Sequence, residues 1–375
     1  MTSAVDFGPT ARLLLLAGVA ALLPLAWVWL RGRSGGTAGR LALLTAVTLF
    51  LTFDLIVFGA FTRLTDSGLG CPDWPGCYGH ASPIGASAPI AQAEAARPDG
   101  PVTTGKAWIE MIHRYLAMVV GVLCLAMAAA GWASRRELPH SPWWPTLTAA
   151  WVVVQGLFGK YTVTLKLYPA VVTLHLLGGL ILLALLVAQR ESFRARPLAL
   201  APMLRRAVLA VTALLVLQIA LGGWVSTNYA VLACRGFPTC NGQWWPEADF
   251  ARGFTLLRAL GHDGSGALLP FDALVAIHLV HRAFAVVAGL ALLGLGAALL
   301  GAGGPASGPG RALIGLTVLQ LASGLSNVVL HWPLAAALLH SGGAAALVLV
   351  CSTLLARCRS NRPRGHAAGM RVGLA

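Results

Sequence analysis

The chain has 375 residues, of which 57% are hydrophobic and only 11% charged, with a formal net charge of +14. A soluble globular domain carries about 25% charged residues, so the composition excludes one and reads as an all-α polytopic membrane protein. The positive balance does not point to nucleic acid, because most arginines fall in short segments between apolar runs, the positive-inside pattern.

Nine apolar runs are long enough for a spanning helix: roughly 11–30, 41–61, 107–132, 145–165, 171–189, 207–226, 272–300, 310–330 and 334–356. The first ends in Trp27-Val28-Trp29-Leu30 before Arg31 and lacks a small-residue cleavage site. It is read as a retained anchor, not a signal peptide. Arg31, Arg33 and Arg40 follow the first run, and Arg135 and Arg136 the third. Arg190, Arg194, Arg196, Arg205 and Arg206 lie between the fifth and sixth, Arg311 follows the seventh, and Arg357, Arg359, Arg362, Arg364 and Arg371 form the tail. These are alternate loops, which puts the N-terminus outside and the C-terminus in the cytoplasm. The N-terminus is not an Arg- and Ser-rich transit peptide, so the expected location is a bacterial inner membrane.

Two long segments, 62–106 and 227–271, fall on the outer side. Each opens with cysteines at one spacing, Cys71-x5-Cys77 and Cys234-x5-Cys240. An oxidising compartment makes two local disulfides the first reading. Zinc is the alternative, although neither pair has a second pair beside it in sequence. Cys124, Cys351 and Cys358 read as inert thiols.

The third run opens with Ile109-Glu110-Met111-Ile112-His113-Arg114. Glu110 and His113 share a helix face, and neither has a cheap place in hydrocarbon, so both mark a functional site. The pattern returns 168 residues later (113 to 281) in Ile277-His278-Leu279-Val280-His281-Arg282, with His278 where Glu110 stood. Gly59, Cys71, Pro75, Cys77 and Gly79 match Gly222, Cys234, Pro238, Cys240 and Gly242 at an offset of 163. Gln155 to Gly159 resembles Gln320 to Gly324, and His175 matches His340, at an offset of 165. Each half holds four spans, and an even number returns the chain to the same side. The expected architecture is therefore a parallel repeat of two pseudo-symmetric four-helix bundles plus one extra N-terminal transmembrane helix. The expected divisions are 1–40 for the extra helix and its loop, 41–200 and 201–356 for the bundles, and 357–375 for a basic tail.

Two histidines on separate helices of a bundle can grip a haem iron from both faces. His113 with His175, and His281 with His340, offer this twice. Gly178-Gly179 and Gly342-Gly343 remove bulk beside the second histidine of each pair, and Arg114 and Arg282 are candidates to pair with haem propionates. The bland reading is a polar contact between helices, but packing does not demand the same polar residue at duplicated positions. His278 reads as a spare ligand, a hydrogen-bond partner or a drifted relic. His80, His140, His262, His331 and His366 have no repeat partner and read as loop or interface residues, although His331 is expected near the outer surface, where it could touch a cofactor edge. Glu110 breaks the symmetry. It can hold or move protons or stabilise developing positive charge, so the N-terminal site is expected to do chemistry and the C-terminal site to support it. Its bland reading is an ion pair with Arg114 or Lys106.

The run Gly59-Ala60-Phe61-Thr62-Arg63-Leu64-Thr65-Asp66-Ser67-Gly68-Leu69-Gly70-Cys71-Pro72-Asp73-Trp74-Pro75, with Glu110 to Arg114, His175, His281-Arg282 and His340, resembles the haem A synthase family over roughly residues 41–356. The resemblance implies an eight-helix core and an oxidoreductase that converts a methyl group of haem O to the formyl group of haem A, with water as the oxygen source. It implies His113 and His175 as ligands of the substrate haem O, Glu110 as the catalytic acidic residue, and His281 and His340 as ligands of a permanent haem b. Cys71–Cys77 would be a disulfide active in electron or haem transfer, and Cys234–Cys240 a structural one. Haem O synthase (protohaem farnesyltransferase) and haem-copper oxidase assembly would be the partners, beside membrane lipid; the oligomeric state stays open, a homo-oligomer included. Two other readings compete. A bis-histidine di-haem cytochrome acting only in electron transfer has no use for Glu110. A transporter would need Gly- or Pro-broken helices at matching midplane positions, which the sequence lacks.

Overall fold

Within hydrocarbon a backbone must satisfy its own polar groups, so long Leu-, Ala- and Val-rich runs form helices. The computed structural model describes residues 8–194 and 196–359. Among them are eleven α-helices: α1 (Gly8–Arg31), α2 (Gly36–Leu64), α3 (Ser87–Ala96), α4 (Thr104–Ala133), α5 (Trp143–Thr164), α6 (Pro169–Arg194), α7 (Pro202–Thr227), α8 (Phe250–Gly253), α9 (Phe271–Ala302), α10 (Ser307–Val329) and α11 (Leu334–Arg359). The described residues form no strand, only isolated bridges. Residues 360–375, with the expected tail residues Arg362, Arg364 and Arg371 and with His366, lie outside the described residues, as do 1–7.

Each of the nine expected spans falls on one of the nine long helices. By length and apolarity seven stretches qualify as membrane spans, which makes this a multi-pass membrane protein. The first stretch, Gly8–Leu64, is 57 residues long and contains both α1 and α2, joined by the tight turn Gly32–Gly35. The helix α5 is absent from the seven; Gln155, Lys160 and several threonines dilute its apolarity.

Local signals set the helix ends. The Thr103 hydroxyl accepts the Lys106 N–H at 3.2 Å and caps α4. Pro202 opens α7, where a missing N–H costs nothing. The α5–α6 turn carries Lys166 and Leu167 at positive φ, and the α10–α11 turn carries His331 and Trp332 the same way, 165 residues on. Inside α2, the hydroxyls of Thr45, Thr48 and Thr52 donate to carbonyls four residues back, which lets polar side chains lie buried.

Helices α2, α4, α5 and α6 pack in a ring, each on the next, with α6 closing onto α2. Helices α7, α9, α10 and α11 do the same. The two sets meet through α6 on α11, α6 on α7 and α2 on α11, around a core that includes Leu183, Leu186, Leu347 and Leu354. Helix α1 lies outside both sets, against α4 and α2. Its Leu13 joins Cys71, Cys77, Ile90 and Met111 in one buried cluster, so α1 begins at the disulfide end of the molecule. The arginine-bearing turns lie at the other end, where Leu198 N–H bonds Arg357 O at 3.2 Å.

Candidate functional site

Both cysteine pairs, Cys71–Cys77 and Cys234–Cys240, are disulfides. Among the described residues no group of three or more His, Cys, Asp or Glu could hold a metal ion alone. In the first hairpin the Asp73 carboxylate accepts the Tyr78 and Gly79 N–H groups at 2.6 and 2.7 Å, and Cys77 pairs with His80. In the second, Asn241 receives the Arg235 N–H at 2.9 Å, and Cys240 pairs with Gln243. The X-Pro bonds at Pro75 and Pro238 are both cis.

The two arginines after the histidines hold these hairpins. Arg114 Nη1 donates to the carbonyls of Asp73 (2.9 Å), Pro75 (3.2 Å) and Gly76. Arg282 Nη1 donates to Gly236 O (3.0 Å) and Thr239 O (3.4 Å), and its Nη2 to Cys234 O (2.5 Å). Sequence reasoning saw these arginines as candidate propionate partners and missed that folded loops carry many unpaired carbonyls needing a donor.

Glu110 is 4% exposed. Its Oε1 accepts Arg114 Nη2 at 2.5 Å, and its Oε2 accepts the Cys71 N–H at 2.7 Å. The carboxylate is therefore fixed both to its own helix and to the first disulfide. Lys106, the other cation considered, pairs instead with Asp66 at 3.6 Å. His278 occupies the equivalent place: it is buried, and its Nε2 accepts from Arg282 Nε at 3.1 Å. Of its three readings, the structure gives it the hydrogen bond.

The four repeated histidines each lie against a glycine in the last two turns of a neighbouring helix. A Cβ on Gly59 of α2 would sit 3.0 Å from His113 Nε2, and one on Gly159 of α5 would sit 3.6 Å from His175 Cε1. In the second set, a Cβ on Gly222 would lie 2.9 Å from His281 Cε1, and one on Gly324 would lie 3.1 Å from His340 Cε1. Only glycine lets the helices hold the rings this way at Gly59 and Gly222. His113 and His175 lie within electrostatic reach of each other, and so do His281 and His340. The donor set, two imidazoles from separate helices in each half, fits a macrocycle held between them. His175 Nδ1 is buried without a partner. The remaining histidines lie elsewhere: His140 packs on Phe193, His262 contacts Leu260 O, and His331 is exposed in a turn.

Contacts across the two helix sets escaped the sequence. Arg63 donates to Ser226 O and covers the Tyr229 ring, with its guanidinium carbon 3.9 Å from the ring centroid. Tyr229 Oη donates to Asp66 Oδ1 at 2.5 Å. Both hydrogen bonds join residues 163 apart, the offset at which the cysteine hairpins match.

Comparison with known proteins completes the picture. The COX15-CtaA family model, described as cytochrome oxidase assembly protein, matches residues 42–352. A Shewanella oneidensis protein named "Heme A synthase" is 39% identical over 320 residues, covering 84% of this chain and 96% of its own length. Proteins of the same name from Sphingopyxis alaskensis and Methylorubrum extorquens are each 30% identical, covering 85% and 84% of this chain and 92% and 86% of their own.

Proposed function

The chain belongs to the COX15-CtaA family of cytochrome oxidase assembly proteins, and from that premise we propose that it oxidises the methyl group of haem O to the formyl group of haem A. The observation that carries this is similarity to relatives named for the activity across nearly their whole length. The asymmetry of the two histidine sites supports it. An electron relay needs two haems and no carboxylate, yet Glu110 is buried one helical turn before His113.

On this reading residues 41–200 and 201–356 are two halves of a parallel repeat, supported by their matching helix pairings. His113 and His175 hold haem O, and His281 and His340 hold haem b. Converting a methyl to a formyl carbon with water releases four electrons and four protons, and haem b, when bound, supplies an iron that can accept electrons. Glu110 places negative charge beside the substrate, where it favours positive charge developing at the reacting carbon. Its two hydrogen bonds hold that charge in place before the reaction begins. Each oxygen keeps a lone pair beyond its hydrogen bond, so the carboxylate can also accept a proton without losing a donor. With their guanidinium groups on loop carbonyls, Arg114 and Arg282 are assigned to shaping the hairpins over the two sites rather than to propionates. The disulfide end faces outward and the arginine end the cytoplasm, by the positive-inside pattern. Haem O synthase would supply the substrate and haem-copper oxidase assembly would receive the product.

The test is haem extraction and mass analysis of the purified protein, expressed with and without a haem O supply. The expected result is haem b alone without supply, and haem b plus haem A or its hydroxylated precursor with it. Haem b alone under both conditions would favour the electron-transfer cytochrome.

A further inference from the structure

The two histidine pairs differ in what holds their rings. His340 Nδ1 lies 3.1 Å from Ser323 Oγ. The Ser323 hydroxyl, 5% exposed, spends its one hydrogen on Leu319 O at 2.7 Å. Its oxygen can then only accept from the ring, so Nδ1 carries the proton and Nε2 keeps a free lone pair. His281 Nδ1 lies 3.1 Å from the amide nitrogen of Gln218, which also donates to His281 O at 3.3 Å, while Gln218 Oε1 is buried without a partner. Turning that amide over gives up the bond to His281 O, satisfies the orphaned oxygen with the Nδ1 proton and gives His281 the same tautomer.

The first set has neither device. At the matching offsets of 163 and 165, Gln218 corresponds to Leu55 and Ser323 to Phe158. His175 Nδ1 is buried and partnerless, and His113 makes no side-chain hydrogen bond among the described residues.

Resting on the two-haem reading above, we propose that Gln218 and Ser323 are positioning residues that lock the ring nitrogens of the haem b ligands, and that Leu55 and Phe158 leave the haem O ligands unlocked so that substrate and product can exchange. An imidazole that donates from Nδ1 is a more basic and better-oriented ligand, and losing such a partner typically costs about 10- to 100-fold in affinity for the metal. A resident cofactor is served by that grip. A haem that must leave after each reaction is not.

The test uses full-length protein in detergent, with haem b as the probe. Ser323→Ala and Gln218→Leu are compared with wild type for haem b loss to excess apomyoglobin, for midpoint potential, and for the low-spin electron paramagnetic resonance signal. The expected result is haem b loss at least about tenfold faster, a more positive potential and a shifted signal in each variant, with Ser323→Thr restoring all three. In the other half, Phe158→Ser should slow the release of haem O and of product. Unchanged retention, potential and signal in both Ser323→Ala and Gln218→Leu would overturn the positioning roles. Unchanged release from Phe158→Ser would overturn the account of exchange. Wild-type protein lacking haem b would instead sink the two-haem reading itself.

Discussion

On the proposed reading, Glu110 is the residue on which the chemistry turns. Glu110→Gln keeps its shape and removes its charge, so haem b should stay bound while turnover of haem O falls about 100- to 10,000-fold, read by mass analysis of extracted haems. Normal haem A output would remove the carboxylate from the mechanism. Arg114→Ala should act differently. It strands a carboxylate that is 4% exposed and leaves three loop carbonyls without their donor. Breaking a buried pair from one side costs about 3–5 kcal/mol, so a lower melting temperature should precede any loss of activity. Gly222→Val places carbon 2.9 Å or less from His281 Cε1. Haem b should be lost from that site, while the fold, followed by circular dichroism, survives. Residue chemistry was the most legible layer in the sequence, because an ionisable group inside an apolar run stands out and a repeat shows which ones recur. The partners were not legible. Nothing in the spacing of Glu110 shows that its second oxygen meets the N–H of Cys71, 39 residues away, because that contact depends on how a hairpin folds back over a helix.

The elements were legible for the reason that makes membrane proteins tractable: each apolar run must close its own hydrogen bonds, so it becomes a helix wherever it sits. All nine expected spans lie on helices, although α5 is too polar and the α1–α2 junction too tight to stand out by apolarity alone. The short helix α3 was not seen, since ten residues rich in alanine between prolines carry no period to detect. It buries Ile90 in the cluster beneath the first disulfide. Among the described long helices, α1 packs on α4 and α2, besides the turn that joins it to α2. Ala21 in its middle is fully buried, a small residue that lets two helices approach closely. Ala21→Leu should cost about 1–3 kcal/mol by overpacking, measured by thermal denaturation. The haem b spectrum should not change, because α9 and α11 lie beyond the reach of α1; a changed spectrum would give α1 a role in the distant site.

For the whole molecule, the join between the two helix sets matters most. Burial pushes the Tyr229 phenol up to about 12, so it keeps the proton it donates to Asp66. The unfolded chain would lose that proton near pH 10. The contribution of this group is therefore fully present below about pH 10 and drains away as the pH climbs from about 10 to 12. A melting temperature that falls across that range less steeply in Tyr229→Phe than in wild type would confirm it, and equal slopes would remove the phenol from the account. The same contact decides which halves can pair. Asp66 and Tyr229 are counterparts at the offset of 163, and a residue touching its counterpart sits where a twofold axis would pass. In a pair of identical half-length chains, that place would press aspartate against aspartate. With tyrosine at the second position the contact is attractive, because the phenol donates to the carboxylate. The halves are therefore not interchangeable. Co-expressed as separate pieces, residues 41–200 and 201–359 should find each other in a pull-down, whereas two copies of 41–200 should remain apart.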